Sequence, residues 1–374
     1  MVPLVGRPLY HSGPSYDSNL ITMTLIRALS SLARPILRGL DPELAHSLTI
    51  KALTFANATR ASEKDDPRLR VNAFGLEFPN PIGLAAGFDK NAEVTEAMLG
   101  FGFGFVEAGT VTPRPQEGNP KPRIFRLPED RAVINRLGFN NQGLDAVRTR
   151  LAALQNRPGI RGINIGANKD ATDRVADYVK GLEELGPLAS YVTVNISSPN
   201  TPGLRGLQNK AELETLLTAL SRARAKLARR VPLLVKIAPD LDAHACADIA
   251  EVTLAKGIDG LIVSNTTTAR PPSLKSPRAA ETGGLSGAPL LAASTEILRT
   301  MRRLTQGRVT LIGVGGVSSG ADAYAKIKAG ASLVQLYTAL TYEGPALVER
   351  IKRELLQLLE RDGLNAVADA VGRP

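Results

Sequence analysis

The sequence predicts an α/β protein, a (β/α)8 barrel preceded by a small N-terminal helical domain. Three observations predict it. Eight short apolar runs recur between Asn80 and Leu340. Helical patterns separate most of them, as parallel strands joined by crossovers require. Six of the eight runs end in Asn, Lys, Ser or Thr, where packing alone would favour Val, Ile or Leu. A barrel gathers such strand ends at one mouth, where its chemistry sits.

Residues 1–22 are polar, rich in Gly, Pro and Ser, and without periodicity, which predicts a disordered extension. They lack the basic-then-apolar order of a signal peptide. Residues 23–62 read as the helical domain. Leu25, Leu29, Leu32, Ile36, Leu37 and Leu40 recur at helical spacing, and Pro35 divides the pattern. Asp41 as N-cap and Pro42 in the first turn begin a second helix, expected through His46, Leu48, Ile50 and Leu53 to Ala58. No apolar run approaches the ~20 residues of a membrane span. On these residues alone two readings stand: a basic amphipathic pair lying in a membrane interface, or a cap packed on the core.

Residues 63–374 read as the barrel. Its strands are expected from Asn80, then at Phe103–Thr110, Gly159–Asn168, Tyr191–Ser197, Val231–Asp240, Ile258–Thr267, Arg308–Gly316 and Ala331–Leu340. Helices are expected at Asp173–Leu185, Glu212–Arg229, Ala243–Lys256, Leu291–Arg303 and Ala321–Ala329. The stretch between Thr110 and Gly159 breaks the rhythm, and "RIFRLPEDRAVINRLGFNNQG" reads as a β-hairpin insertion followed by a loop.

The 374 residues carry one cysteine, Cys246, and three separated histidines, so neither a disulfide nor a metal site is expected. Trp is absent and aromatics make up 4%, which leaves few stacking platforms for single-stranded nucleic acid. The net charge of +10 fits nucleic acid, an anionic membrane surface or anionic small molecules. The densest cluster, "RARAKLARR", has leucines on its other face and reads as a solvated helix side.

A lone Asn at a strand end is usually a cap or turn. Here Lys90, Thr110, Asn164, Asn195, Ser198, Lys236, Ser264, Asn265, Thr266 and Thr338 converge on one mouth. "TGGLSG" and "GVGG" add glycine turns that expose backbone N–H groups to a phosphate. The array holds neutral donors and acceptors and two lysines, but no His–carboxylate pair and no catalytic thiol. That composition points to a phosphate-bearing organic cofactor, a flavin, performing the hard step.

The motifs "GLAAGFDKN", "NRLGFNNQG", "VNISSPNTPGLRGLQ", "VKIAPDL", "SNTTTAR", "GGLSGAPL", "IGVGG" and "LVQLYTAL" together resemble the quinone-dependent, membrane-associated class of dihydroorotate dehydrogenases, from about Leu25 to the C-terminus. The resemblance implies a TIM barrel with FMN at its mouth and oxidation of dihydroorotate to orotate in pyrimidine synthesis. Matched motif by motif, it implies that Ala86, Gly87, Phe88, Asp89, Lys90, Thr110, Asn164, Asn195, Lys236, Ser264, Gly287, Gly316, Tyr337 and Thr338 hold FMN. Ser264 stands where Thr is common in the family. Lys90, Asn135, Arg136, Leu137, Gly138, Phe139, Asn195, Asn200, Asn265 and Thr266 would hold the substrate. Ser198 would be the base, where soluble-class relatives carry Cys, with its proton leaving through Thr201 or water. His46, Arg126 and Tyr337 match positions at the quinone end. The helical domain would then form a quinone tunnel against an anionic lipid surface. The resemblance implies a peripheral protein on the cytoplasmic face of a bacterial inner membrane, with the mitochondrial inner membrane as the lesser alternative. A monomer and no nucleic-acid partner are expected. The nearest rival is another FMN barrel, such as a dihydrouridine synthase acting on RNA, which would need a nucleic-acid surface and normally a catalytic Cys.

Overall fold

The structure is a computed structural model that describes residues 35–55 and 64–373. The expected extension 1–22, the first part of the helical domain and residues 56–63 lie outside the described residues.

Eight parallel strands close into a barrel in sequence order. They are β1 (Ile82–Leu84), β2 (Phe105–Val111), β3 (Ile160–Ile165), β4 (Tyr191–Asn195), β5 (Leu233–Ile237), β6 (Gly260–Val263), β7 (Thr310–Val314) and β8 (Leu333–Leu336). The β8–β1 pairing, Val334 opposite Ile82, completes the cylinder. Each expected run yields a strand, but a shorter one. Some of the polar residues at the run ends leave the ladder, so "YVTVNIS" is strand only as far as Asn195 and Ser198 lies in the loop beyond, while Asn195 and Lys236 are still paired in it.

The barrel interior is filled by large rings facing glycines. A Cβ on Gly83 would lie 2.2 Å from the Phe105 ring, and one on Gly162 would lie 2.1 Å from that of Tyr191. Phe78 meets Phe105 edge-on at 5.2 Å and closes the floor. It comes from a hairpin, Val71–Ala73 with Leu76–Phe78, that the sequence reading did not anticipate. Strands of three residues are too short to show a period, and their only signal is the turn at Phe74 and Gly75, both at positive φ.

The described helices are α1 (Pro42–Phe55), α2 (Thr95–Gly100), α3 (Gly143–Ala153), α4 (Arg174–Leu185), α5 (Lys210–Ala225), α6 (Ala243–Ala255), α7 (Leu291–Leu304), α8 (Gly320–Lys328), α9 (Thr338–Glu343) and α10 (Ala346–Arg361). Asp173, Asp242 and Ser319 cap α4, α6 and α8 by accepting from backbone N–H groups. Cys246 is buried in α6 as a free thiol. From the basic cluster at the end of α5, Arg224 and Arg230 both pair with Asp259, at 2.7 and 2.6 Å.

The predicted insertion is a hairpin, Ile124–Leu127 with Ala132–Asn135. Gly284–Gly287 pairs with its second strand, so part of "TGGLSG", read as a phosphate turn, is a strand that ends in a turn at Gly287. Backbone pairing to Ala132–Asn135 draws it straight. Phe125, Leu127, Ala132, Ile134 and Leu285 form a small core of their own under this sheet.

Charge pairs dock the N-terminal segment on the hairpin. Asp41 caps α1 by accepting from the Glu43 and Leu44 amides. Arg123 grips Glu43 with two bonds, of 3.0 and 2.6 Å. Arg126 donates to the carbonyls of Leu37, Arg38 and Leu40, capping the helical turn at 35–39.

Candidate active site

A continuous cavity of about 370 Å³ runs from the barrel mouth to α1. Its inner end is polar. Asn195, Ser198, Asn200, Lys236, Ser264, Asn265 and Thr266 line it at the carboxyl ends of β4, β5 and β6. Ala86, Gly87, Phe88, Lys90 and Thr110 line it from β1 and β2, Gly287, Gly316, Tyr337 and Thr338 from the sheet, β7 and β8, and Asn135, Leu137, Gly138 and Phe139 from the hairpin and its following loop. Its outer end is formed by Ala45, His46, Thr49 and Leu53 of α1, facing Phe101, Arg126 and Tyr342.

Three residues expected to touch ligand do not line the cavity. The Asp89 carboxylate accepts from the Glu93 and Val94 amides at 2.8 and 2.9 Å, and burial pushes its pKa up. It shapes the turn after β1. Arg136 pairs with Glu281 at 2.8 Å and stacks over Phe125. Asn164 lies one layer below the mouth.

That lower layer holds a residue the motif reading passed over. Glu107, in the middle of β2, is fully buried inside the barrel. It accepts from Asn164 Nδ2, Tyr191 Oη, Thr193 Oγ1 and Gln335 Nε2. The chain it starts fixes each group above it. Asn164 must turn its amide N–H to the carboxylate, so its Oδ1 accepts from Thr110 Oγ1 at 2.6 Å. Thr110 Oγ1 then accepts from Asn195 Nδ2 at 3.0 Å. Asn195 Oδ1 is left facing Asn265 Nδ2 and Ser197, at 3.3 and 3.2 Å. The rim amides are therefore oriented from below, by a carboxylate acting as acceptor. An acidic residue inside the apolar run "FGFVEAGT" was the available signal.

The loop after β4 is equally constrained. Ser198 is 5% exposed, and its Oγ accepts from the Asn200 N–H at 3.2 Å. Asn200 Nδ2 donates to the Asn135 carbonyl at 3.1 Å, which joins this loop to the hairpin. Thr201 is buried, but no hydrogen bond joins it to Ser198 among the described residues.

Both predicted lysines are desolvated. Lys236 is 5% exposed and its ammonium donates to no group among the described residues; burial lowers its pKa. Lys90 is lowered to about 8, by burial first. His46, 3.5 Å from Lys90, is lowered to about 3 by burial and by that lysine, so it is a neutral ring. Phe88 stands edge-on to both His46 and Tyr337, at 5.3 and 5.6 Å, a continuous aromatic wall between the inner and outer ends. An unpartnered buried ammonium, oriented amides and glycine turns at positive φ fit a planar, phosphate-bearing ring system whose reduced form carries negative charge.

Comparison with known proteins agrees with this geometry. Residues 68–359 match the family model described as dihydroorotate dehydrogenase. A relative from Parvibaculum lavamentivorans, named dihydroorotate dehydrogenase (quinone), is 60% identical over 344 residues, covering 92% of this chain and 98% of the relative. One of the same name from Rhodospirillum rubrum is 56% identical over 346 residues, 91% of this chain and 93% of the relative. The crystal structure of an Eimeria tenella dihydroorotate dehydrogenase in complex with ferulenol superposes with a TM-score of 0.86 at 46% identity, covering 89% of this chain and 95% of that one. The barrel, its mouth and these likenesses together show that the chain belongs to the dihydroorotate dehydrogenase family and, like the quinone-named members it matches over most of its length, is an oxidoreductase.

Proposed function

We propose that this protein oxidises dihydroorotate to orotate in pyrimidine synthesis, with FMN as the first electron acceptor and a membrane quinone as the last. The observation that carries the reading is the continuity of the cavity: oriented amides and a buried serine at one end, apolar helix at the other. When bound, FMN supplies the ability to take up a hydride from the substrate and pass its electrons on singly or in pairs.

The residues divide the remaining work. Backbone N–H groups at Gly287 and Gly316 suit a phosphate, and Lys236 suits the anionic form of a reduced ring. Asn195, Asn200 and Asn265 present amides that match the N–H and C=O edges of a dihydropyrimidine. A substrate lacking those edges would leave buried amides unpaired, a strong penalty. Lys90 supplies the positive charge for the substrate carboxylate. Ser198 takes the C5 proton. No histidine lies beside it among the described residues, so the hydroxyl proton passes to water in the loop rather than to an imidazole. His46, Arg126 and Tyr337 border the outer end, where quinone would enter.

The surface supports a membrane location. Among the described residues, the exposed large apolar side chains are Ile36, Leu44, Leu48 and Phe55, all on the N-terminal helices. Leu44, Leu48 and Phe55 fall on one side of α1, opposite the cavity-facing Ala45, Thr49 and Leu53. No described helix is long and apolar enough to cross a membrane. An interfacial helix at the cytoplasmic face of a bacterial inner membrane fits both facts. The test is dihydroorotate-dependent reduction of a quinone analogue, with fumarate and nicotinamide acceptors as controls. Turnover with quinone is expected, and faster turnover with either control would overturn the acceptor assignment.

A further inference from the structure

One buried cation takes no part in the chemistry above. Lys326, on α8, is fully buried, and no carboxylate lies within ion-pair distance of it among the described residues. Its ammonium donates to the Ser294 hydroxyl of α7. That hydroxyl sits 2.8 Å from the Leu290 carbonyl, 3.2 Å from that of Leu291 and 3.2 Å from that of Gly315. These carbonyls belong to the two turns that bring Gly287 and Gly316 to the cavity, and the turns touch. A Cβ on Gly316 would lie 2.6 Å from the Leu291 nitrogen. Lys326 itself does not line the cavity; it stands behind the turns.

An isolated buried ammonium is costly unless an anion compensates it. The one Ser294 proton, nearest the Leu290 carbonyl and within reach of that of Gly315, ties the two turns to a single hydroxyl. We propose that Lys326 is a positioning residue for a phosphate monoester. Through Ser294 it holds the two glycine turns together, and its charge balances the dianion they bind. The inference rests on the flavin reading and deepens it, assigning phosphate recognition to a residue that does not touch the ligand.

The surroundings give the pH dependence its sign. Lys326 stands at about 7, lowered by burial first; Asp322 of its own helix opposes the shift and Arg299 of α7 adds to it. β7 and β8 contribute no ionisable side chain, while on α10 Glu354 is taken up by the Gly320 N–H. In the turn at Val367–Ala370, Asp369 is bonded to the Ala366 N–H. A bound dianion favours the ammonium and so raises this pKa. Phosphate affinity is then full below about pH 7 and falls as pH rises from there, by at most about tenfold per unit.

The experiment compares FMN with riboflavin, the same ring without phosphate, by equilibrium binding to the full chain. Lys326→Met is expected to weaken FMN about 10- to 100-fold while changing riboflavin less than about twofold. In the unaltered protein the FMN-to-riboflavin affinity ratio is expected to fall between about pH 7 and 9, where the phosphate is already dianionic. Equal losses for both flavins in the variant overturn the inference. If the variant does not fold, the ratio in the unaltered protein decides, and a flat ratio overturns it. A chain that binds neither flavin overturns the flavin reading itself.

Discussion

Replacing Lys90 by Met is expected to raise KM for dihydroorotate about 10- to 150-fold, leave flavin bound and lower kcat much less. The magnitude follows from its surroundings. Burial takes the ammonium from 10.5 to about 8, against the help of Glu43. That is about 3 kcal/mol by which burial outweighs the nearby carboxylates of Glu43, Asp89 and Glu93. A substrate carboxylate that compensates the ammonium recovers much of this, in line with the ~1.5–3 kcal/mol of a charge-assisted hydrogen bond. The sign with pH is fixed too. In the free protein the charged form is lost above about pH 8, so the advantage of the unaltered protein over the variant must shrink as pH rises toward about 10. Steady-state quinone-analogue reduction, measured for both proteins across that range, reads the effect. A KM change below about threefold, or a ratio independent of pH, would refute the assignment of Lys90 to the carboxylate.

Other outcomes follow from single contacts. Gly316→Ala sets a side chain at φ +79° and drives its Cβ to 2.6 Å from the Leu291 nitrogen; a loss of about 1–3 kcal/mol in denaturant unfolding is expected, with weakened flavin retention, and unchanged values would contradict the tight apposition of the turns. Changing Leu44, Leu48 and Phe55, exposed by 49%, 42% and 88%, to Ser is expected to leave the melting temperature within a few degrees. The affinity for anionic vesicles, read by sedimentation over a lipid titration, should fall by about two orders of magnitude, at roughly 1 kcal/mol per side chain withdrawn from the interface; an unchanged affinity removes α1 from membrane binding. Glu107→Gln would set an NH2 against either the Asn164 donor on one oxygen or the Tyr191, Thr193 and Gln335 donors on the other. A destabilisation of about 2–4 kcal/mol and a loss of turnover are expected together, and a variant normal in both would show that the rim amides are oriented by something else.

The barrel was legible because its apolar runs recur with helical patterns between them and carry polar residues at their ends, where each strand reaches the mouth. Sequence could say at which strand end a residue stands. It could not say which way its side chain turns, so it did not show that Asp89, Arg136 and Asn164 would fall outside the cavity lining. Asp89 turns to the Glu93 and Val94 amides because a turn leaves those N–H groups open. The grip of Arg123 on Glu43 spans 80 residues and follows from no local pattern. Ser198 and Asn200 were legible as an unusual loop, but its attachment to Asn135 depends on how the hairpin folds back over the mouth.

The central claim, a buried serine working beside a bound flavin, is tested most directly by mixing the anaerobic Ser198→Ala protein with dihydroorotate and following the flavin absorbance. The account predicts that the variant keeps its yellow colour and bleaches at least about a hundredfold more slowly than the unaltered protein. Bleaching at the unaltered rate would contradict it.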